Sequence, residues 1–164
     1  MQAWSPNKRK YIDLIEGVQR RATRLVPEFR QIFYDKNLKL WRRMTYEERL
    51  AELKLPKLED RRIRGDMIET YKLITGKEDV NANNFFSMAT VRSARNNTHE
   101  MKIRKKHSRL EVRRNYFSQR VSQKWNNLSP EEVGAKKTSE FKEKYDAREA
   151  ERAKVRERET YVWV

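Results

Sequence analysis

The 164-residue chain contains no cysteine and only four glycines, four prolines and two histidines. Without cysteine it forms no disulfide, no thiol nucleophile and no zinc knuckle. Its glycines, at positions 17, 65, 76 and 134, are too scattered for a glycine-rich phosphate loop. No apolar run approaches the roughly 18 residues of a membrane-spanning helix, and the N-terminus lacks the apolar stretch of a secretory signal. We therefore expect a soluble intracellular protein without a membrane partner, nuclear or in a cytoplasmic ribonucleoprotein.

Groups suited to catalysis are also scarce. Neither His99 nor His107 stands in metal-ligand spacing with a second histidine. The adjacent acids Glu59-Asp60 and Glu78-Asp79 are typical of helix ends or loops, whereas a two-metal nuclease needs carboxylates that converge from separate elements. The sequence therefore predicts no catalytic residue, no metal site and no cofactor. A metal-dependent nuclease is the alternative, which loss of a labelled substrate would reveal.

What the chain has in excess is positive charge. Lysine and arginine number 39 against 24 acids, which gives a net charge of +15 and a pI of about 10.1. Residues 92–124 hold 11 basic and 2 acidic side chains, so this segment carries +9 of that excess. A field of this kind attracts polyanions. The predicted phosphate contacts in it are Arg92, Arg95, Lys102, Arg104, Lys105, Lys106, Arg109, Arg113, Arg114, Arg120 and Lys124. Arg20, Arg21 and Arg24 on the first predicted helix complete the predicted site.

Two aromatic residues within the basic segment are candidates for stacking on bases. Phe117 is spaced four residues from Val121, which is four from Trp125, and this period favours a buried position for Phe117. Tyr116 remains a stacking candidate. If about six cations touch phosphates together, the logarithm of affinity falls with the logarithm of salt with a slope of roughly −5. The alternative is that several arginines pair with the chain's own acids.

The spacing of apolar residues predicts a mainly α fold. Ser5-Pro6 is a typical helix start, and a stripe of apolar residues follows it: Tyr11, Ile15, Val18, Ala22 and Leu25. Residues 28–44 show no clean period and are compatible with short helices. Thr45 with Glu48 and Ser129 with Glu132 are capping boxes.

We predict a compact bundle of about five or six short helices and an exposed C-terminal helix. The predicted domain covers residues 1–146, with a basic excursion at 87–114 in which a short β-hairpin is an option. Residues 147–164 form a charged helical tail with an apolar end. That end either packs or frays, or it enters a partner's groove that captures C-termini.

Six separated stretches occur in the order of a known pattern. They are IDLIE–VQRRATRLVP within residues 12–27, TYEERL at 45–50, LPKLE at 55–59, RRIRGDMIETYK at 61–72, RRNYFSQRV at 113–121 and WNNL at 125–128. Together they resemble the region after the polymerase domain in jockey-type non-long-terminal-repeat retrotransposons, over roughly residues 4–146. Residues 31–44 are longer than the corresponding link, Ser129 precedes Pro130 where the family runs straight from leucine to proline, and residues 147–164 have no counterpart.

The resemblance implies an accessory segment of a reverse transcriptase that helps to grip template RNA or target DNA. The family's Tyr-x-Asp-Asp polymerase motif is absent from this sequence, as is an endonuclease block. The chain is either a truncated element or a captured host gene. We therefore predict a non-catalytic module that binds RNA or DNA with little base specificity. The alternative is a helical scaffold or interaction protein, in the form of a homodimer, that uses the apolar helix stripes and the charged helix at 138–159.

Overall fold

The computed structural model describes residues 5–89 and 99–161 and is mainly helical. The predicted mainly α fold is confirmed, with seven α-helices in the described ranges rather than five or six. They are α1 (Arg9–Thr23), α2 (Tyr46–Glu52), α3 (Leu58–Ile74), α4 (Glu111–Arg114), α5 (Phe117–Asn126), α6 (Pro130–Val133) and α7 (Thr138–Tyr161). Short 3-10 helices cover Pro27–Arg30 and Ala82–Asn84. The chain divides into two compact units, the first ending at Arg64 and the second beginning at Gly65, within α3.

Helix α1 of the first unit buries a polar face instead of its apolar one. Glu16 is buried, and its carboxylate accepts hydrogen bonds from the Tyr46 hydroxyl and, at 3.0 Å, from the Leu58 N–H at the start of α3. Burial, and then the hydrogen bond to Glu16, raises the pKa of Tyr46 to about 12. Thr23 on the same face accepts a 3.1 Å hydrogen bond from Arg49 Nε. The interior of this unit is therefore organised by paired polar groups.

One prediction for this helix is wrong, because it begins at Arg9 rather than at Ser5-Pro6. Its apolar stripe is largely exposed: Tyr11, Val18 and Leu25 of the stripe are exposed, and so is Leu14 beside them. Periodicity shows which residues share a face, but the hydrogen-bond partners supplied by α2 and the start of α3 decide which face is buried.

A β-hairpin occupies part of the segment that shows no clean period and is compatible with short helices. Strand β1 (Phe33–Asp35) pairs antiparallel with β2 (Leu40–Arg42). Arg42 joins the hairpin to α2, because its guanidinium donates to Asp35 at 2.7 Å and to both oxygens of Glu48. The hydrogen bonds from Arg42 lower the pKa of Glu48 to about 2. Residues 33–42 are therefore not helical, while residues 27–30 form a 3-10 turn.

Local capping signals fix several helix ends as predicted. The boxes of Thr45 with Glu48 and of Ser129 with Glu132 are both formed. Gly76, at φ 66°, ends α3 in a Schellman motif, in which the Lys77 N–H reaches the Lys72 carbonyl at 2.8 Å.

The core of the second unit lies among α3, α5 and α7. Met67, Tyr71, Val121, Trp125 and Phe141 are almost completely buried. The Tyr71 and Phe141 rings stack with their centroids 4.3 Å apart. The predicted buried stripe of Phe117, Val121 and Trp125 is confirmed, and it makes α5 the central helix of this core.

For the predicted hairpin option at 87–114, the described residues show an antiparallel bridge between Met88 and Ile103. The Ala89 N–H donates to the Lys102 carbonyl at 2.8 Å, and the Arg104 N–H to the Ser87 carbonyl at 2.7 Å. This bridge joins the backbone of residues 87–89 to that of residues 102–104.

The C-terminal helix is exposed over residues 150–155, as predicted. The boundary predicted at residue 146 lies inside α7, which is continuous from Thr138 to Tyr161. Arg148 ties the helix to the buried Glu132 at 3.0 Å, and Arg152 pairs with Glu149 at 3.2 Å on the exposed stretch. Of the apolar end, residues 162–164 lie outside the described ranges. No helix in the described ranges is long and apolar enough to cross a membrane.

Candidate nucleic-acid interface

Residues 101–103 of the basic segment are attached to the core just before a run of cations. Ile103 is buried in the cluster around Trp125. Its backbone N–H and carbonyl bond the carboxamide of Asn126 at 2.9 and 2.8 Å. The Trp125 indole N–H donates to the carbonyl of Met101 at 2.7 Å. These bonds hold residues 101–103 against α5, so the cations that follow are displayed from a fixed backbone.

Six predicted contacts lie exposed in this part of the second unit. They are Arg104, Lys105, Lys106 and Arg109, followed by Arg113 and Arg114 of α4. Arg114 is partly oriented by a 3.0 Å hydrogen bond from its Nε to the Ser108 carbonyl. Lys124 is also exposed, whereas Lys102 is half-buried. The arrangement can neutralise several phosphates along one backbone.

Arg120, one of the predicted phosphate contacts, forms an ion pair within the second unit. Its Nε and Nη2 donate to the two carboxylate oxygens of the buried Asp66 at 2.8 and 2.9 Å. Its guanidinium also lies 5.4 Å from the centre of the Phe117 ring. In a forked ion pair of this kind, two nitrogens of the planar guanidinium bond both oxygens of one carboxylate. Arg120 therefore contributes to the fold of the second unit. This agrees with the alternative that some arginines pair with the chain's own acids.

The remaining predicted contacts lie elsewhere. Arg20, Arg21 and Arg24 are exposed at the C-terminal end of α1, in the first unit. The Arg20 guanidinium lies 5.0 Å from the centre of the Tyr46 ring. Arg92 and Arg95 lie outside the described residues.

A cavity of about 440 Å³ opens beside the exposed cations, and the sequence did not predict it. Apolar and aromatic side chains line it: Phe85, Phe86, Ile103, Leu110, Val112 and Tyr116. Arg104, Lys106 and Arg113 also lie on its lining. Phe85 and Tyr116 are 31 positions apart, and the only sequence signal was the isolated aromatic pair Phe85-Phe86 within a polar stretch. We call this feature the 84–119 cavity.

The described titratable groups near the basic segment do not form a recognisable catalytic or metal-binding cluster. His99 is buried, and its Nε2 lies 3.1 Å from the Trp125 carbonyl. Burial lowers the pKa of His99. Within residues 5–89 and 99–161, no three histidine, aspartate or glutamate side chains are grouped to hold a metal ion. Glu59 and Asp60 lie in the first turn of α3, and Glu78 pairs with Lys72, as expected for charges at helix ends and in loops.

No protein-family model, no curated protein and no solved structure matches this chain.

Proposed function

We propose that the second unit binds RNA or DNA without catalysing a reaction, mainly through phosphate contacts. The observation that carries the proposal is the exposed series Arg104, Lys105, Lys106, Arg109, Arg113 and Arg114 on a segment anchored to the core. The backbone phosphates of RNA and DNA attract such cations. The counterions released on binding supply affinity that does not depend on the base sequence. The resemblance to the segment after a retrotransposon polymerase supports the same function.

The arrangement favours this function over a merely solvated surface. Residues 92–124 contain only Glu100 and Glu111 as acids, so most of their positive charge is not balanced within the segment. Arg120, which is paired with Asp66, shows how an arginine that serves the fold is held here. The six exposed cations lack such a buried carboxylate partner among the residues described.

The test is a titration of fluorescent RNA and DNA at two or more salt concentrations. The variant Arg104→Gln, Lys105→Gln, Lys106→Gln, Arg109→Gln should weaken binding to every probe and flatten the salt slope from roughly −5 to about −2. A matched variant, Lys36→Gln, Arg61→Gln, Lys136→Gln, Lys137→Gln, removes four exposed charges elsewhere and should retain most of the slope. Equal affinity and slope in the first variant and the unaltered chain would reject the proposal.

A second candidate function is association with a protein through α1. Its apolar stripe is exposed rather than buried, and apolar patches of this kind often mark interaction sites. If the stripe forms a homodimer contact, the unaltered chain should be a dimer and the double variant Leu14→Gln, Val18→Gln a monomer. Light scattering after size-exclusion chromatography measures both masses. A monomer at all concentrations would exclude the homodimer.

A further inference from the structure

The 84–119 cavity combines buried apolar surface with exposed aromatic rings and cations. Its interior is apolar, since Phe86 and Ile103 are both buried. Its margin carries the partly exposed rings of Phe85 and Tyr116, which are 38% and 55% exposed. Its volume of about 440 Å³ lies within the range of about 300–1,000 Å³ for small-molecule sites.

Cations share that lining with the rings. Arg104, Lys106 and Arg113 all contribute to the cavity and are exposed to solvent. A ligand that suits this lining has a flat apolar part for the rings and an anionic part for the cations. A nucleotide has both, since its base stacks on aromatic rings while its phosphate meets lysine and arginine.

We propose that the 84–119 cavity holds one unpaired base of single-stranded nucleic acid, an inference that rests on the proposed function. In a duplex both faces of a base are covered by its neighbours, so a ring can stack on it only after unstacking. Phosphate contacts alone do not distinguish a single strand from a duplex in this way. The cavity therefore gives the second unit a preference for single strands, while the exposed cations set the overall affinity.

The test compares Tyr116→Ala with the unaltered chain on a 12-nucleotide single strand, the matching duplex and a free mononucleotide. Tyr116→Ala should weaken single-strand binding about 5- to 100-fold, as loss of one stacked base does, and leave duplex binding within twofold. Tyr116→Phe should restore single-strand binding, because the ring is kept. Trp41→Ala removes an exposed ring from the first unit and should change neither affinity.

Photocrosslinking of a strand that contains 5-bromouracil should label a peptide of the cavity lining, and Tyr116→Ala should reduce the label. If Tyr116→Ala changes single-strand and duplex affinity equally, or changes neither, the cavity holds no base, although binding through the cations stands. A mononucleotide that binds as tightly as the strand would replace the proposal with a nucleotide site. Absence of binding to all three probes in the unaltered chain would reject both this inference and the proposed function.

Discussion

The side chain of Asn126 pairs with the backbone of Ile103 as a neighbouring strand would. Its Oδ1 accepts from the Ile103 N–H at 2.9 Å, and its Nδ2 donates to the Ile103 carbonyl at 2.8 Å. One residue of α5 thus satisfies both polar groups of a buried residue in the basic segment.

Replacement of that side chain should destabilise the second unit. Asn126→Ala leaves the N–H and carbonyl of Ile103 unpaired, and we expect the free energy of unfolding to fall by about 1–3 kcal/mol. Urea denaturation measures the loss, and hydrogen exchange should show faster exchange of the Ile103 amide. The control is Asn127→Ala at the neighbouring exposed position. Equal stability of the two variants would contradict the pairing.

Replacing the arginine that pairs with Asp66 should affect a different property from replacing an exposed arginine that is proposed to bind nucleic acid. Arg120→Gln leaves the buried Asp66 carboxylate without its partner, so we expect a loss of about 3–5 kcal/mol in the free energy of unfolding. Arg109→Gln, at an exposed position, should change stability by less than about 0.5 kcal/mol. It should instead reduce the magnitude of the salt slope for binding by about 1. An unstable Arg109→Gln beside a stable Arg120→Gln would reverse these assignments.

The stability of the fold should depend on pH through His99. A carbonyl only accepts, so Nε2 donates to Trp125, and Nδ1 is the unprotonated nitrogen, buried without a partner among the described residues. Burial lowers the pKa of His99 below the ordinary value of 6.5. The unfolded chain therefore binds the proton first, and stability is full above about pH 6.5 and falls as the pH drops below it.

Thermal unfolding between pH 8 and 5 measures this effect. His99→Gln should lose the dependence between pH 6.5 and 5, whereas His107→Gln, at an exposed site, should keep it. The loss from Glu48, whose folded pKa is about 2, begins only below about pH 4.5, so the two windows are distinct. A slope that persists in His99→Gln would assign it to another group.

Helices α2 and α3 are both followed by a residue with left-handed backbone. Introducing glycine at the first position and removing it at the second should change stability in opposite directions. Lys54 follows α2 at φ 52°, where a side chain is strained, and Gly76 follows α3 at φ 66°. We expect Lys54→Gly to raise the free energy of unfolding by about 0.5–1 kcal/mol and Gly76→Ala to lower it by about 1–2 kcal/mol. No atom lies within 4 Å of a Cβ added at Gly76, so its cost is that of the backbone alone. Chemical denaturation of both variants decides the sign.

Features that depend on a few neighbouring residues could be predicted from the sequence. The capping boxes of Thr45 and Ser129 and the left-handed Gly76 are local, and the buried stripe around Trp125 follows one helix. The hairpin at residues 33–42 gave no such signal, because its strands have three residues each and its turn uses Lys39 at φ 53° where glycine would be expected.

Features that depend on distant partners could not be predicted. The burial of Glu16 follows from Tyr46, 30 residues away, so the helical period of α1 alone did not show which face is buried. Arg120 looked like its basic neighbours because its carboxylate, on Asp66, is 54 residues away. The exposure of the cations at residues 104–114 does not depend on a distant partner. They lie on the surface, as the charge pattern indicated.

The burial of Trp125 has a practical consequence for measurement. Its indole is fully enclosed in the second unit, while Trp41 is 70% exposed in the first. With Trp4 and Trp163 replaced by phenylalanine, each unit would retain one tryptophan, the enclosed one emitting at shorter wavelength. The red shift of Trp125 on unfolding and the quenching of Trp41 by a soluble quencher would then show whether the two units melt in one cooperative transition or in two.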